Sequence, residues 1–306
     1  MGKRYGINYM GSKNSIAKDI INFLPSGNRL VDLFGGGFAI SHCALELINN
    51  EQNSLFGRKW NSVLYNEIDS VVVDFIKKIL NGKIDLEHPE WISRDGFFRL
   101  KDKDGLVKTL WSFGGRGDTY MYGKEIEPYK KACHYAIVND DWKLFKELYP
   151  DIFDDVFDIL KGIKGIKKRR LLFKNVLRNI SVQNHQAFLR LEHIERLQPL
   201  EHIEQLQHLE ITNLSYEQYQ YQDGDVVYCD IPYENTGKYT TPFKHDVFFD
   251  WVKAQPFDIY ISSYDNPRYE KEIGLEKVFE TEKRSTLSAN NNSLLQKECI
   301  YKHKAV

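Results

Sequence analysis

The sequence predicts an α/β protein, a mostly parallel sheet with helices on both faces, interrupted by a largely helical insert. Three observations carry this. The amino-terminal third alternates helix 12–24, strand 29–33, helix 38–49, strand 62–66 and helix 69–81, and such alternation implies parallel strands joined by crossover helices. From about residue 84 the rhythm gives way to mixed aromatic, charged and glycine-bearing text, then to helical segments near 125–138, 141–148 and 166–180. Strand patterns resume near 226–230, 257–262, 275–280 and 297–302. With 306 residues and 42% hydrophobic content the chain can bury one large core or two smaller ones. The expected divisions are 1–84, an insert over 85–180, and 181–306.

The first helix follows Tyr9-Met10-Gly11-Ser12-Lys13. Ser12 is placed to cap it, and Ile16, Ile20, Ile21 and Leu24 fall on its inner face. Lys13 would then sit in the first turn, where the helix dipole disfavours a cation. That conflict marks a functional lysine; the plainer alternative is a solvated helix start. Next, the apolar strand Leu30–Leu33 runs through Phe34 into Gly35, Gly36 and Gly37, and the amphipathic stretch Phe38–Ile48 reads as a helix. Glycine is required where backbone approaches a ligand closely or takes positive φ, so this unit suits a nucleotide. It is not the dinucleotide fingerprint, because Ile40 stands at the third glycine of G-x-G-x-x-G. Glu67 ends the strand Val63–Asn66, further from Gly35 than the roughly 20 residues of a nicotinamide fold. Its carboxylate suits a ribose diol; the alternative is an unrelated acid after a generic turn.

Within the insert, Gly165-Ile166-Lys167-Lys168-Arg169-Arg170 continues to Lys174 and Arg178, with Leu171, Leu172, Val176 and Leu177 at helical spacing. A helix with a basic start either contacts phosphates or is simply solvated. Tyr120, Tyr122, Tyr129 and Tyr135 lie among Arg116, Lys124, Lys130 and Lys131, which suits nucleic-acid contacts or buried aromatic packing. Formal charge is −1 and pI about 6.8, so basic residues would have to gather on one face. In residues 191–209, Leu or Ile recurs every third position. That period drifts around a helix and Pro199 opposes one, so the segment reads as a structural extension into a strand at Ile211. Cys43, Cys133, Cys229 and Cys299 have no paired spacing and the histidines are dispersed. No leader or membrane-length apolar stretch is evident. These features predict a cytoplasmic chain with no metal and no membrane partner.

Residues 228–233, Tyr-Cys-Asp-Ile-Pro-Tyr, follow the run Asp225–Tyr228, so Asp230 falls where a strand ends and a loop begins. Ligands of open α/β sheets bind outside the carboxyl ends of strands. An acceptor-only carboxylate on Asp230, the Ile231 carbonyl, a rigid Pro232 and the face of Tyr233 can hold a planar amine. A strand end followed by an X-Pro turn is the bland alternative. Cys229 precedes Asp230 on the strand and reads as a packed residue.

In this order and at these distances, the three elements resemble the DNA adenine-N6 methyltransferases of the Dam-like (D12) class: an aromatic-x-Gly-x-Lys start, a Phe-x-Gly-x-Gly loop, an acidic strand end, a long insert and an Asp-Pro-Pro-Tyr motif. Trp111–Gly117 looks like the family's glycine-bearing segment inside the insert, and Tyr260–Tyr264 and Arg284–Lys297 look like its late sheet motifs. The resemblance implies a Rossmann-like methyltransferase sheet and S-adenosylmethionine as cofactor. Residues 1–84 and 181–306 would be catalytic, and 85–180 would recognise DNA. Tyr9, Lys13, Asp32, Phe34, Gly35, Gly37, Glu67 and Asp230 would bind the cofactor. Asp230, Ile231, Pro232 and Tyr233 would act on a flipped adenine. Arg116, Lys124, Lys167, Lys168, Arg169 and Arg170 would contact double-stranded DNA. The chain would act as a monomer, in some settings beside a cognate restriction nuclease. A silent DNA-binding relative, or an amino-methyltransferase of RNA or protein amides, are the alternatives. The departures from the family's pattern are Tyr9 for tryptophan, Ser12 for glycine, Glu67 for the commoner aspartate and Ile231 for proline.

Overall fold

The computed structural model describes residues 4–50, 59–85, 88–179, 191–196, 207–234, 243–284 and 295–305. The chain forms two compact units, Met1–Leu80 with His202–Val306, and Asn81–Glu201. Residues 191–196, expected with the sheet, therefore cluster with the insert.

The first unit carries α1 (Ala17–Phe23), β1 (Arg29–Asp32), α2 (Ala39–Asn50), β2 (Ser62–Asn66), α3 (Ser70–Leu80), β3 (Leu209–Thr212), β4 (Asp225–Cys229), α4 (His245–Lys253), β5 (Ile259–Tyr264), β6 (Glu276–Arg284) and β7 (Leu295–His303). The seven strands form one sheet in the order β3-β2-β1-β4-β5-β7-β6. Neighbours from β3 to β5 pair in parallel, and β7 runs antiparallel to both β5 and β6. This is a Rossmann-like, mostly parallel α/β sheet. Every residue of β1 and β4 is buried, which is why both read as near-continuous apolar runs. The core includes Val31, Leu64, Val227, Ile261, Phe248 and Tyr301.

From β1 the chain moves outward to β2 and β3 on one side, while β4 and β5 lie on the other. The order thus reverses between β1 and β4, and the crevice beyond their carboxyl ends is the switch point where such sheets bind ligands. At the opposite end Arg29 fixes the same strands, donating to both Asp225 carboxylate oxygens at 2.9 and 2.8 Å and to Glu210 at 3.0 Å.

Two helix starts differ from the sequence expectation. The first helix begins at Ala17 rather than residue 12, and Ser12 does not cap it. Instead the Ser12 N–H bonds the Tyr9 carbonyl, the Ser12 hydroxyl accepts from the Asn14 N–H, and the Ile16 N–H bonds the Lys13 carbonyl. Lys13 thus lies in a turn ahead of the helix, and the dipole conflict disappears. The second helix begins at Ala39 because Phe38 has φ 67°, a left-handed conformation that no helix residue adopts and that costs a bulky side chain about 1–2 kcal/mol.

In the second unit, helices span Arg94–Leu100, Gly105–Leu110, Glu127–His134, Lys143–Leu148, Pro150–Leu160 and Ile166–Asn179. Tyr120 and Tyr122 are buried, which settles their alternative in favour of packing. The Tyr122 ring stacks parallel to Trp91, and Trp111 stacks on His193 with centroids 4.2 Å apart. Lys130 is buried and pairs with Glu192 at 3.1 Å, so it too belongs to the interior. Of the triplet repeat, Glu192–Glu195 is helical and Leu209–Thr212 is β3; residues 197–206 lie outside the described residues. No helix among the described residues is long and apolar enough to cross a membrane.

A buried chain of hydrogen bonds runs Tyr122 Oη to His193 Nδ1 (2.6 Å) and His193 Nε2 to His134 Nδ1 (2.9 Å). Either direction of the protons keeps both rings neutral. Burial lowers His134 to about 4 and holds His193 well below the ordinary histidine range. In the unfolded chain both rings take up protons near pH 6.5, so the folded state loses relative stability as pH falls from there through about 4. The loss is on the order of 3 kcal/mol for His134 alone. Thermal unfolding between pH 7 and 4 should show a descending limb that a His134→Gln, His193→Gln double variant flattens. A limb of equal size in both proteins would move the acid sensitivity to the carboxylates.

Candidate active site

The loop after β1 is shaped by side chains packed directly on its glycines. A Cβ on Gly35 would lie 2.2 Å from the Tyr65 ring, and one on Gly37 would lie 2.5 Å from Tyr9 Cβ. Gly36 has φ 46°. Tyr65 is fully buried and donates its hydroxyl to the Gly36 carbonyl at 2.8 Å. The amino-terminal segment lies along the same loop, with the Ile7 N–H bonded to the Gly37 carbonyl at 2.8 Å. Tyr9 and the glycine loop are thus brought together. Phe34 stacks on Tyr216 at 5.5 Å and meets Phe243 and Phe248 edge-on.

Glu67 ties this loop to α3. Oε2 accepts from the Gly36 N–H and Oε1 from the Asp69 N–H, both at 2.8 Å. It is 7% exposed, and burial raises its carboxyl against those two backbone donors. Asp32, at the end of β1, accepts from both the backbone N–H (3.2 Å) and the hydroxyl (2.7 Å) of Ser41. Full burial pushes its carboxyl up to about 7, and the charges of Asp230 and Glu67 add to the rise. The charges of Glu67 and Asp230 thus lie close enough to raise the Asp32 carboxyl.

Asp230 extends from β4 into the same crevice. Lys13 Nζ lies 2.5 Å from its Oδ1, 3.6 Å from Glu298 Oε1 and 4.6 Å from the centroid of the Tyr233 ring. The lysine side chain is 3% exposed and that of Asp230 is 20% exposed. Tyr233 donates its hydroxyl to Glu298, is within 3.2 Å of Ser262 Oγ, and meets Tyr264 edge-on at 4.7 Å. Burial raises that phenol well above its ordinary range, with Asp230 and Glu298 contributing. Ile231 is buried, and His245 donates from Nε2 to the Pro232 carbonyl at 2.6 Å. Arg268 pairs with Glu234 just beyond. Lys13, Asp230 and Tyr233 thus meet in one cluster, which sequence spacing alone could not join.

Several residues here were absent from the sequence expectation. Glu298 and Ser262 come from β7 and β5, and their signal was an acid and a serine inside strands otherwise apolar or alternating. Ile68 and Leu214, which flank Glu67 and the start of the loop holding Tyr216, are 68% and 42% exposed. Asn8 Nδ2 is buried with no hydrogen-bond partner among the described residues, an orphaned donor beside the glycine loop.

The basic residues of the second unit are placed differently from one another. Lys124, Lys167 and Lys168 are exposed. Arg116 is also exposed and pairs with Asp118 at 2.9 Å. Arg170 is half-buried and donates to the Ile194 carbonyl. Arg169 departs from its expected role: it is 6% exposed and is held at 2.5 Å by both the Ala136 carbonyl and Asp140. Helical spacing turns it inward from its neighbours, so it stitches the unit together. No group of three or more His, Cys, Asp or Glu residues that could hold a metal occurs among the described residues.

A family model described as D12 class N6 adenine-specific DNA methyltransferase matches residues 9–248, which span the amino-terminal segment, the glycine loop, the insert and Asp230–Tyr233. No curated protein matches the chain.

Because Tyr65 is fully buried and cannot retreat, Gly35→Ala should force the loop off Asn66, whose carbonyl accepts the Gly35 N–H at 2.8 Å. The expected cost is about 1–3 kcal/mol. Urea unfolding of wild type and variant measures it, and an unchanged midpoint would show that the ring can yield.

Proposed function

Because the chain belongs to the D12 class N6 adenine-specific DNA methyltransferase family, we propose that it methylates N6 of an adenine within a specific duplex DNA sequence, with S-adenosylmethionine as donor and the base flipped out of the helix. The observation that carries this reading is the convergence of Asp230 and Tyr233 with Lys13 at the switch point of the sheet. Adenine N6 is a poor nucleophile because its lone pair is delocalised into the ring. In this reading Asp230 and the Ile231 carbonyl accept its two N–H donors, which favours a pyramidal nitrogen and aims the lone pair into the crevice. Alignment of this kind is worth several orders of magnitude in rate. Asp230 then accepts the proton that the methylated nitrogen sheds. Lys13 covers one face of Tyr233, so the base stacks on the opposite face, recovering roughly 1–3 kcal/mol of the few kcal/mol spent on flipping.

The residues beside the glycine loop fit the donor. S-adenosylmethionine, when bound, supplies an electrophilic methyl group on a cationic sulfur. Glu67 and Asp230 would provide anionic surroundings for such a cation, with Asp32 nearby. Glu67 would accept from the ribose hydroxyls, with Ile68 and Leu214 as apolar cover for the adenine ring. Tyr9, Phe34, Gly35 and Gly37 would wall the methionine part, and the orphaned Asn8 amide would donate to its carboxylate. The second unit would contact phosphates through Lys124, Lys167 and Lys168, with the protein acting as a cytoplasmic monomer.

Asp230→Ala should abolish tritiated methyl incorporation into adenine-containing duplexes while leaving duplex affinity near wild type, since phosphate contacts dominate affinity. Full activity in that variant would remove the residue on which the mechanism rests. Replacing Lys124, Lys167 and Lys168 with Gln should weaken duplex binding and flatten its log–log salt dependence by about 0.9 for each phosphate no longer neutralised. Arg169→Gln should instead lower thermal stability with the salt slope unchanged. Equal slopes in the triple variant and wild type would leave those lysines as solvated surface.

A further inference from the structure

Glu298 lies on β7, the strand that opposes the direction of its neighbours, and its side chain is 1% exposed. Oε1 receives the Tyr233 hydroxyl and, at 2.8 Å, the Ser262 hydroxyl. Oε2 is buried and has no hydrogen-bond partner among the described residues. Such an acceptor, left unfilled in a carboxylate whose other oxygen lies 3.6 Å from a buried ammonium, is the anomaly of the site.

The conflict that gives it a purpose concerns Asp230, and it rests on the reading of that residue as acceptor of the adenine amine. Its Oδ1 already holds the Lys13 ammonium at 2.5 Å. An oxygen polarised toward a cation at that distance is a weakened acceptor for a neutral N–H. A buried ammonium cannot be released without another anion to receive it. Glu298 is that anion, 3.6 Å from Nζ in this structure.

We propose that Glu298 is a positioning residue that takes over the Lys13 ammonium when the substrate amine engages Asp230. No covalent bond changes in this exchange. The ammonium moves by under about 1 Å toward Oε1, from 3.6 Å, to reach a charge-assisted hydrogen-bond distance, and the unfilled Oε2 leaves the carboxylate with capacity for the added donor. The Tyr233 and Ser262 hydroxyls anchor Oε1 so that the carboxylate stays in place as the load shifts. The two anions differ in the way this role needs: Asp230 reaches toward the crevice, and Glu298 is sealed behind Tyr233. Lys13 thereby has an outer and an inner partner, and arrival of the base decides between them.

Glu298→Gln is the informative replacement. Its amide oxygen still accepts from both hydroxyls, so packing is kept and only the charge is lost. Single-turnover methyl transfer should fall at least tenfold, with KM for duplex and for S-adenosylmethionine within twofold of wild type and the melting temperature unchanged. Glu298→Asp, which restores the charge, should recover part of the rate and also serves if the Gln variant does not fold. A wild-type rate in Glu298→Gln, a loss that lies in KM, or no recovery in Glu298→Asp overturns the proposal. Asp230→Ala assayed in parallel separates the two ideas. If it is silent while Glu298→Gln runs at the wild-type rate, only the role of Glu298 fails. If Asp230→Ala is active, the reading of Asp230 fails and takes this one with it.

Discussion

A lysine ammonium sealed from water must be matched by negative charge, and in this protein that requirement organises the site. Lys13 comes from the amino-terminal segment, Asp230 from the end of β4 and Glu298 from β7. None of these segments is near another in sequence. The sheet order supplies the meeting place: β1 and β4 are adjacent, and reversal of the chain at that pair opens a crevice above them. The glycine loop completes the arrangement by letting the segment carrying Lys13 lie against the turn after β1. Each part is tolerable only because the others are present. A carboxylate at Asp230 without Lys13 would strengthen the repulsion felt by Asp32, and Lys13 without the carboxylates would be an uncompensated buried charge.

Much of the sheet was legible because buried parallel strands write themselves as short apolar runs between glycine and helix signals. Strand β2 falls at the expected residues, β1 starts as expected and ends one residue early, and β4 is displaced by one residue. Helix starts were less legible for identifiable reasons. Ser12 is a good capping residue used in a turn instead, because the chain must keep Lys13 out of the helix to reach Asp230. Phe38 carries a helix-compatible side chain on a backbone that the glycine turn drives to positive φ. Other helices left signals that periodicity did not isolate: Ser93 caps Arg94–Leu100, Asp104 caps Gly105–Leu110, and Pro150 opens its own helix.

The site divides along a similar line. Asp230, Tyr233, Glu67 and the glycines are recognisable because their spacing is local, within one strand end and the following turn. Glu298 and Ser262 are not, since a single acid on an antiparallel strand looks like a solvent-facing position of an alternating pattern. Only the placement of β7 against β5 reveals that Glu298 points into the protein. Arg169 shows the converse. Four consecutive basic residues suggest one surface, yet a helix turns about 100° per residue, so Arg169 turns inward and is held by the Ala136 carbonyl and Asp140. Tyr120 and Tyr122 likewise owe their burial to an aromatic cluster drawn from Trp91, Trp111 and His193, which no local window contains.

The separation along the chain between Lys13 and its two anions has a consequence for biosynthesis. The bond to Asp230 closes a loop of 217 residues, and Glu298 is further along still. Closing such loops carries an entropic cost that grows only slowly with length, but it cannot be met before the partners exist. A nascent chain emerging from the ribosome carries Lys13 well before Asp230 or Glu298 is available to bury it against. The amino-terminal segment must therefore remain hydrated until β4 is made, and the inner anion arrives only when β7 joins the sheet. The central strands can assemble early, while the chemistry of the crevice is withheld until late in synthesis. Maturation of the site is then a report on folding of the whole sheet, and a chain arrested before residue 298 would have much of the sheet without the full site.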